Sequence, residues 1–296
     1  MTRGPRRPPR RIAILGHLGR PGVKREADRI RAKLARRGCE VRIESRLAAE
    51  MGRSGPPLGP LAAWCQVLIS MGGDGTALAG ARALAGRRGT LLPINLGGLG
   101  FLTIAEAFEL DPALAASLGG AWPVAQRRTV RAAVTRHGRA VRRGLAMNDA
   151  VIKGASGYAA VHLRLATLGH DLGHLVADGL IAASAAGSTA YSLSAGGPLL
   201  APDVEALVVT PVCAHSLGSR SLVLAPDAAL SVKVIGSPDR AVLLFDGQDR
   251  VELRPRDEVR MGLGRARVRV FQNPERPFAR ALQAKLGWQG SARRSL

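Results

Sequence analysis

Aromatic residues are nearly missing from this chain. Phe, Trp and Tyr together make up 3% of its 296 residues, and only two are tyrosines. A core without rings must be filled by Leu, Val, Ile and Ala. Hydrophobic residues at 46% supply enough of these for one large domain or two medium ones. Rings that could stack nucleobases between basic side chains are missing for the same reason. Lysine is scarce too: of 43 basic residues only five are lysines, at positions 24, 33, 153, 233 and 285. The rest are arginines scattered among Ala, Gly and Pro. The net charge of +21 therefore reads as a compositional bias, not as the footprint of a nucleic-acid surface, and it suits anionic small molecules.

Cysteine is equally uninformative as a scaffold. Cys39, Cys65 and Cys213 are far apart, odd in number and outside any CxxC pair. That argues against a disulfide framework or a zinc site and predicts three buried, reduced thiols. No apolar run reaches the roughly 18 residues of a membrane span. The head, MTRGPRRPPRR, is basic and Pro-rich, and the IAIL that follows is too short for a signal peptide. The expectation is a disordered basic tip over 1–10, on a cytoplasmic protein with no membrane partner.

What is present falls into two textures. In the first third, apolar strands alternate with helices: Arg11 to Leu15 as a strand, then Ala27, Ile30 and Leu34 at helical spacing until Gly38. Val41 and Ile43 alternate with charges. A Gly/Pro loop over 52–60 leads to a strand from Trp64 to Ile69 and a helix from Thr76 to Ala85. Leu91 to Leu96 reads as another strand, and Asp111-Pro112 as the cap of a helix ending near Gly119. This order predicts a parallel sheet covered by helices. From about Arg127 the period becomes two, as in Val130/Ala132/Val134, Val161/Leu163/Leu165 and Leu230/Val232/Val234, which predicts a β-rich second part. The segment FARALQAKLGW near the end reads as a short amphipathic helix.

The stretch ISMGGDGT (69–76) carries the first chemistry. Gly72, Gly73 and Gly75 fall where a strand ends and a helix begins. Without Cβ atoms the turn can bring N–H groups up to a ligand. The helix N-terminus adds partial positive charge, which suits phosphate. A carboxylate in the same turn repels phosphate, so Asp74 needs a role that outweighs the repulsion. It could accept a proton from a hydroxyl, or hold a metal that accompanies phosphates. The plain structural alternative is a tight turn with Asp74 as helix N-cap.

GGDGT resembles the nucleotide loop of NAD kinases, diacylglycerol-type lipid kinases and phosphofructokinases, and alone does not choose among them. Later segments choose. INLGGLGFLT (94–103), AMNDAVI (146–152), ADGLIAASAAGSTAYSLSAGGP (177–198), TPVCAHSLGSRSLVL (210–224), FDGQ (245–248) and KLGW (285–288) resemble NAD kinase segments in order and spacing, from about residue 11 to 288. The resemblance implies an NAD kinase-like fold. An α/β nucleotide-binding domain with a parallel sheet is expected over 11–122, a β-rich NAD-binding domain over 123–272, and a tail helix over 273–296 packing back on the first domain. It also implies a kinase moving the terminal phosphoryl of ATP, or of polyphosphate, to the 2′-hydroxyl of the adenosine ribose of NAD, which gives NADP.

Residue by residue, the resemblance makes Asp74 the general base and, with Gly75, an NAD contact. Gly72, Gly73, Gly75 and Thr76 are implied to cradle phosphates. Asn148 and Asp149 would bind the adenosine half of NAD, and Asp178 would lie near the nicotinamide side. Thr189, Ala190, Tyr191, Ser192, Leu193 and Ser194 match a dinucleotide-binding run, and Gln248 a late contact. His215 is expected to be a hydrogen-bonded structural histidine. Mg2+ or another divalent cation is expected to arrive with the nucleotide phosphates, and no tightly bound organic cofactor is expected. By resemblance the partner is a second copy, in a homo-dimer or tetramer. Three positions depart from common family patterns: Ala186 for a hydroxyl residue, Val176 for an arginine, and Pro93 for a glycine.

Three rivals make different demands. A lipid or sugar kinase with the same loop leaves 177–198 unexplained. A nucleic-acid binder requires the arginines to cluster on one face. A Rossmann dehydrogenase requires G-x-G-x-x-G, which Gly97-Gly98-Leu99-Gly100 does not provide.

Overall fold

The computed structural model describes residues 10–98, 100–156, 159–237 and 240–287. Residues 1–9 of the tip expected over 1–10, and Trp288 of KLGW, lie outside them. The chain forms two compact units, one of residues 1–126 with 268–296 and one of residues 127–267.

The first unit opens with β1 (Arg11–Gly16), α1 (Val23–Ala35), β2 (Glu40–Ile43), α2 (Ser45–Glu50) and α3 (Leu58–Trp64). It continues with β3 (Val67–Gly72), α4 (Asp74–Leu84), β4 (Thr90–Asn95), β5 (Ala105–Glu106) and α5 (Leu110–Leu118). The strands lie in the order β2-β1-β3-β4, all parallel. Every residue of β3 and β4 is buried, as a sheet covered on both faces requires. Val23, Ala27, Ile30 and Leu34 of α1 pack with Ile12, Ile69, Met71 and Ile94 on one face. On the other, α4 passes so close that a side-chain carbon on Gly80 would meet Leu68 and Leu91 at 3.1 and 3.0 Å.

Two sequence expectations are corrected here. Residues 58–64 are helical, not loop or strand. Pro57 takes the N-cap position and Pro60 lies in the first turn, where a missing N–H costs no helical bond. Asp111 does not cap α5. It lies in the first turn and pairs with Lys33 at 2.7 Å and Arg29 at 2.8 Å.

Pro93, in the middle of β4, has a local explanation. Its carbonyl accepts the Ile104 N–H at 3.0 Å on the outer side of the strand. Its missing N–H faces that same side, away from the ladder with β3.

The second unit holds most of β6 (Val124–Arg136), then β7 (Arg139–Ala146), β8 (Asp149–Gly154), β9 (Val161–Thr167), β10 (His170–Ala177) and β11 (Gly179–Ala183). After the short α6 (Tyr191–Ser194) come β12 (Leu207–Val212), β13 (Leu222–Leu224), β14 (Ala229–Gly236), β15 (Ala241–Phe245), β16 (Asp249–Leu253) and β17 (Glu258–Phe271). One antiparallel sheet has the order β13-β12-β11-β8-β15-β16. Another runs β10-β9-β14-β17, with β6 beside β17 and β7 beside β6. A single apolar cluster draws on both, including Val130, Val134, Leu163, Leu230 and Val232 with Ile152, Leu180, Leu243 and Phe245. The period-two residues fall on the buried faces because alternate side chains of a strand share a face.

β17 ends in the first unit, where Arg269 and Val270 pair in parallel with Thr90 and Leu91. β5 pairs with Ile94 and Asn95, so the outer edge of β4 is covered in two halves by different segments. The tail then carries α7 (Phe278–Leu286). It is fastened within the first unit by Asn273, whose Nδ2 donates to the Ile104 carbonyl at 3.0 Å. Arg276 bonds Glu109 at 2.7 Å and Glu106 at 3.3 Å. Among the described residues, no helix is long and apolar enough to cross a membrane.

Candidate functional site

Two clusters, one in each unit, gather the residues that the sequence singled out. The first lies where β3 gives way to α4. Gly73 occupies the N-cap position of α4, and Asp74 opens the helix with no capping bond from its side chain. The N-cap alternative for Asp74 is thereby excluded. Its carboxylate instead reaches the loop after β4. Oδ2 accepts the Phe101 N–H at 2.9 Å, and Oδ1 accepts those of Leu102 and Thr103 at 3.2 and 3.3 Å. Each carboxylate oxygen can accept about two hydrogen bonds. Oδ2 therefore keeps capacity for one more donor.

That grip depends on residues the sequence reading did not single out. A side-chain carbon on Gly100 would lie 1.8 Å from Asp74 Oδ1, so only glycine lets the loop close over the carboxylate. Asn95, buried at the end of β4, shapes the loop from below. Its Oδ1 accepts the Gly97 N–H at 2.8 Å, and its Nδ2 donates to the Gly98 carbonyl at 2.6 Å and to Thr103 Oγ1 at 3.2 Å. Thr103 Oγ1 also accepts the Gly100 N–H at 2.9 Å. The available signal was a single amide closing an otherwise apolar strand ahead of glycines. Gly72 is buried, Gly75 is exposed, and Thr76 is buried with its Oγ1 unpartnered. A buried hydroxyl without a partner is costly unless something else completes it.

The second cluster centres on Asn148, between β7 and β8, and Asp149, the first residue of β8. Both are buried. Asp246, in the turn between β15 and β16, holds a left-handed backbone with φ 49°. Its Oδ1 accepts the N–H of Asn148 at 2.8 Å and of Asp149 at 3.2 Å, while Oδ2 accepts that of Met147 at 2.9 Å. Its own N–H returns to the Asp149 carbonyl at 3.0 Å. Burial, and then the charge of Asp246, pushes the Asp149 carboxyl up to about 7. The Asn148 Oδ1 is buried and unpartnered.

Ser184 braces the other side of this turn. Its Oγ donates to the Met147 carbonyl at 2.6 Å and accepts the Gly187 N–H at 3.2 Å. A carbon on Gly187 would sit 2.1 Å from the Asn148 carbonyl oxygen, so glycine is required there too. Asp246 and Ser184 lay inside quoted motifs but received no role from the sequence.

The remaining sequence-predicted residues divide. Tyr191, 42% exposed, does not serve as core packing. Burial raises its hydroxyl pKa, and so do Cys213, Asp178 and Asp149, which lie within electrostatic reach of the ring. Asp178 is exposed and is not a hairpin turn: it marks the step from β10 in one sheet to β11 in the other, with its N–H on the Val212 carbonyl at 2.9 Å. Ser192 is buried and bonded to Thr210 Oγ1 at 2.9 Å, Thr189 Oγ1 donates to the Ala186 carbonyl at 2.9 Å, and Ser194 is exposed. Ala190 and Leu193 are half-buried, and Gln248 is exposed in the Asp246 turn.

Two minor expectations fail. His215 is exposed, and among the described residues its ring makes no hydrogen bond. Cys213 is exposed rather than buried, at φ 47°, while Cys65 is buried, which raises its thiol pKa to about 11, and Cys39 is half-buried. Among the described residues, no group of three or more His, Cys, Asp or Glu could hold a metal ion.

Comparison with known proteins gives the same picture along the chain. Residues 61–120 match the family model of the ATP-NAD kinase N-terminal domain, and residues 147–272 that of the C-terminal domain. The NAD kinase of Geobacter metallireducens is 35% identical over 279 residues, spanning 94% of this chain and 99% of that protein. The crystal structure of yeast NADH kinase complexed with NADH shares the fold with a TM-score of 0.89 at 22% identity, over 98% of this chain and 91% of the yeast one. That of an NAD kinase from Archaeoglobus fulgidus in complex with ATP does so with a TM-score of 0.68 at 24% identity, over 90% and 95%. With a relative this similar along nearly its whole length, the chain belongs to the NAD kinase family, the enzymes that phosphorylate NAD.

Proposed function

We propose that this enzyme moves the terminal phosphoryl group of ATP, or of polyphosphate, onto the 2′-hydroxyl of the adenosine ribose of NAD, with Asp74 as the base. The observation that carries the reading is the Asp74 carboxylate. It is fixed by three N–H groups at the mouth of a glycine turn, with one acceptor position still open on Oδ2. An alcohol is a weak nucleophile. A carboxylate held in one orientation can align the hydroxyl and take its proton as the new bond forms. The ribose oxygen bonds to the terminal phosphorus while the bridging P–O bond breaks. ADP, or the shortened polyphosphate, leaves with the electron pair, and the proton passes from Asp74 to water. Positioning and charge neutralisation supply most of the acceleration in such transfers.

In the first unit, Gly72, Gly73, Gly75 and Thr76 serve the donor phosphates, and the unpartnered Thr76 hydroxyl is free to donate to one. In the second, the unpartnered Asn148 Oδ1 suits a donor on the adenine edge. Asp149 and Asp178 serve ribose hydroxyls, and Tyr191 offers a half-exposed ring for stacking. Mg2+ enters with the substrate as the donor's counter-ion, neutralising charge on its phosphates. ATP in the Archaeoglobus enzyme favours the nucleotide as donor, and NADH in the yeast enzyme makes the reduced dinucleotide a second acceptor to try.

The test is direct. Purified protein with Mg2+, NAD or NADH, and either ATP or polyphosphate is assayed for 2′-phosphorylated product with an NADP-specific dehydrogenase. Product from one donor identifies it. Folded protein that yields none from any pairing overturns the reading. Asp74→Asn is expected to lower kcat at least about 100-fold, and wild-type turnover by that variant removes the base assignment.

A further inference from the structure

One cation beside the glycine turn belongs to none of the motifs. Arg20 lies in the loop between β1 and α1. That loop is tied to the end of β3 by the His17 N–H on the Met71 carbonyl at 2.9 Å, and to itself by the Arg20 N–H on the His17 carbonyl at 3.0 Å. The Arg20 side chain runs from there across both glycine loops. A carbon on Gly97 would stand 3.0 Å from Nη1 and 3.4 Å from Cζ, and a carbon on Gly73 would stand 3.7 Å from Nη2. The guanidinium thus lies along the loop after β3 and the loop after β4, the two segments that hold Asp74. A side chain on Gly97 would push it away.

Its surroundings are equally specific. Arg20 is exposed, and among the described residues it makes no hydrogen bond or ion pair. Elsewhere arginines are engaged: Arg29 with Glu26 and Asp111, Arg136 with Asp257, Arg164 with Asp171, Arg276 with Glu106 and Glu109. The strand order explains the position. The chain leaves β1 for β2 on one side and returns to β3 on the other, so the carboxyl ends of β1 and β3 flank the switch point of a doubly wound sheet, where ligands bind. At the same crevice a carbon on Gly72 would meet Thr76 Oγ1 at 2.3 Å and His17 Cβ at 2.9 Å, which places the buried, unpartnered Thr76 hydroxyl beside the same loop.

We propose that Arg20 binds a phosphate of the phosphoryl donor, offsetting the negative charge that Asp74 brings to the glycine turn. This inference rests on the kinase reading for the identity of the anion. A guanidinium fork matches two oxygens of one phosphate, which an ammonium cannot do. A cation already resting on the loops needs little reorganisation to meet it.

Two measurements on the full-length protein separate the inference from the reading beneath it. Calorimetric titration with inorganic tripolyphosphate, without NAD, reads anion binding with no turnover. Arg20→Ala is expected to weaken binding at least about tenfold, Arg20→Glu to abolish it, and Arg20→Lys to restore part of it. Arg88→Ala, an equal loss of charge at another exposed arginine of the same unit, is expected to leave it unchanged. In the coupled assay, Arg20→Ala should raise the donor KM about tenfold while the NAD KM stays within about twofold. Melting curves verify folding, and Arg20→Gln stands in if the glutamate variant does not fold. A wild-type protein that makes no 2′-phosphorylated product fails the kinase reading, yet the titration still reports on Arg20. Tripolyphosphate binding that is absent in wild type, equal in Arg20→Ala, or equally weakened in Arg88→Ala overturns the proposal.

Discussion

Asp246 holds the backbone of Asn148 from a left-handed position in its own chain, with Oδ1 2.8 Å from the Asn148 nitrogen. Non-glycine residues adopt that conformation rarely, and Asp and Asn most readily among them. The cost is offset by the three N–H groups that the one carboxylate accepts, at Met147, Asn148 and Asp149. The two turns behave as one object, and the side chains of Asn148 and Asp149 are presented from it.

Removing that acceptor is therefore expected to hurt twice. Asp246→Ala leaves three N–H groups unsatisfied and should cost about 2–4 kcal/mol in urea denaturation. Asp246→Asn keeps the backbone preference and one acceptor oxygen, so it should cost less than half as much. NAD affinity should fall in the same order. An alanine variant as stable as wild type would show that water replaces the carboxylate.

Gly100 offers a cleaner separation of activity from stability. A methyl group at 1.8 Å from Asp74 Oδ1 forces either the carboxylate or the loop to move. Misplacing a reacting group by about 1 Å is worth roughly 100-fold in rate. Gly100→Ala should lower kcat by about that factor while the melting temperature changes by only a few degrees. Unchanged kcat would mean that the position of the carboxylate is unimportant for turnover.

Asp149 gives stability an unusual pH dependence. Burial first, and the Asp246 charge second, lift its carboxyl from the usual range to about 7. The folded protein therefore holds a proton that the unfolded chain has released. This contribution is unfavourable to folding above the unfolded value near 4, and it grows as pH rises to about 7 before levelling off. Across that window stability should fall by up to about 1.4 kcal/mol per pH unit. Asp149→Asn should remove the slope and be the more stable protein at pH 8. Unfolding of both proteins in denaturant at pH 5, 6, 7 and 8 reads the difference directly, and parallel curves would place the proton elsewhere.

The sequence revealed the fold best where periodicity was strong. The helix through Ala27, Ile30 and Leu34 and the strands through Val130, Leu163 and Val232 face the core because three- or four-residue and two-residue spacings put side chains on one side. Residues 58–64 misled because proline and glycine mark loops on average, whereas proline in a first turn is compatible with a helix. At the candidate site, local motifs pointed to Asp74, Asn148 and Tyr191. The partners that orient them were beyond local reading, because Gly100, Asp246 and Ser184 act across long stretches of chain. Arg20 belongs to the same class: one unremarkable arginine among many until the backbone brings it against two glycines.

The last strand has a consequence for the order in which the molecule can be made. Val270 pairs with Leu91, and the whole of residues 127–267 is threaded between them. During synthesis the inserted unit leaves the ribosome before the sheet around it has its final partner. Until then half of the outer edge of β4 stays open, with unpaired amide groups able to recruit a stray strand. Nascent chains arrested before residue 268 should expose that edge to chaperones, and chains released beyond residue 271 should conceal it.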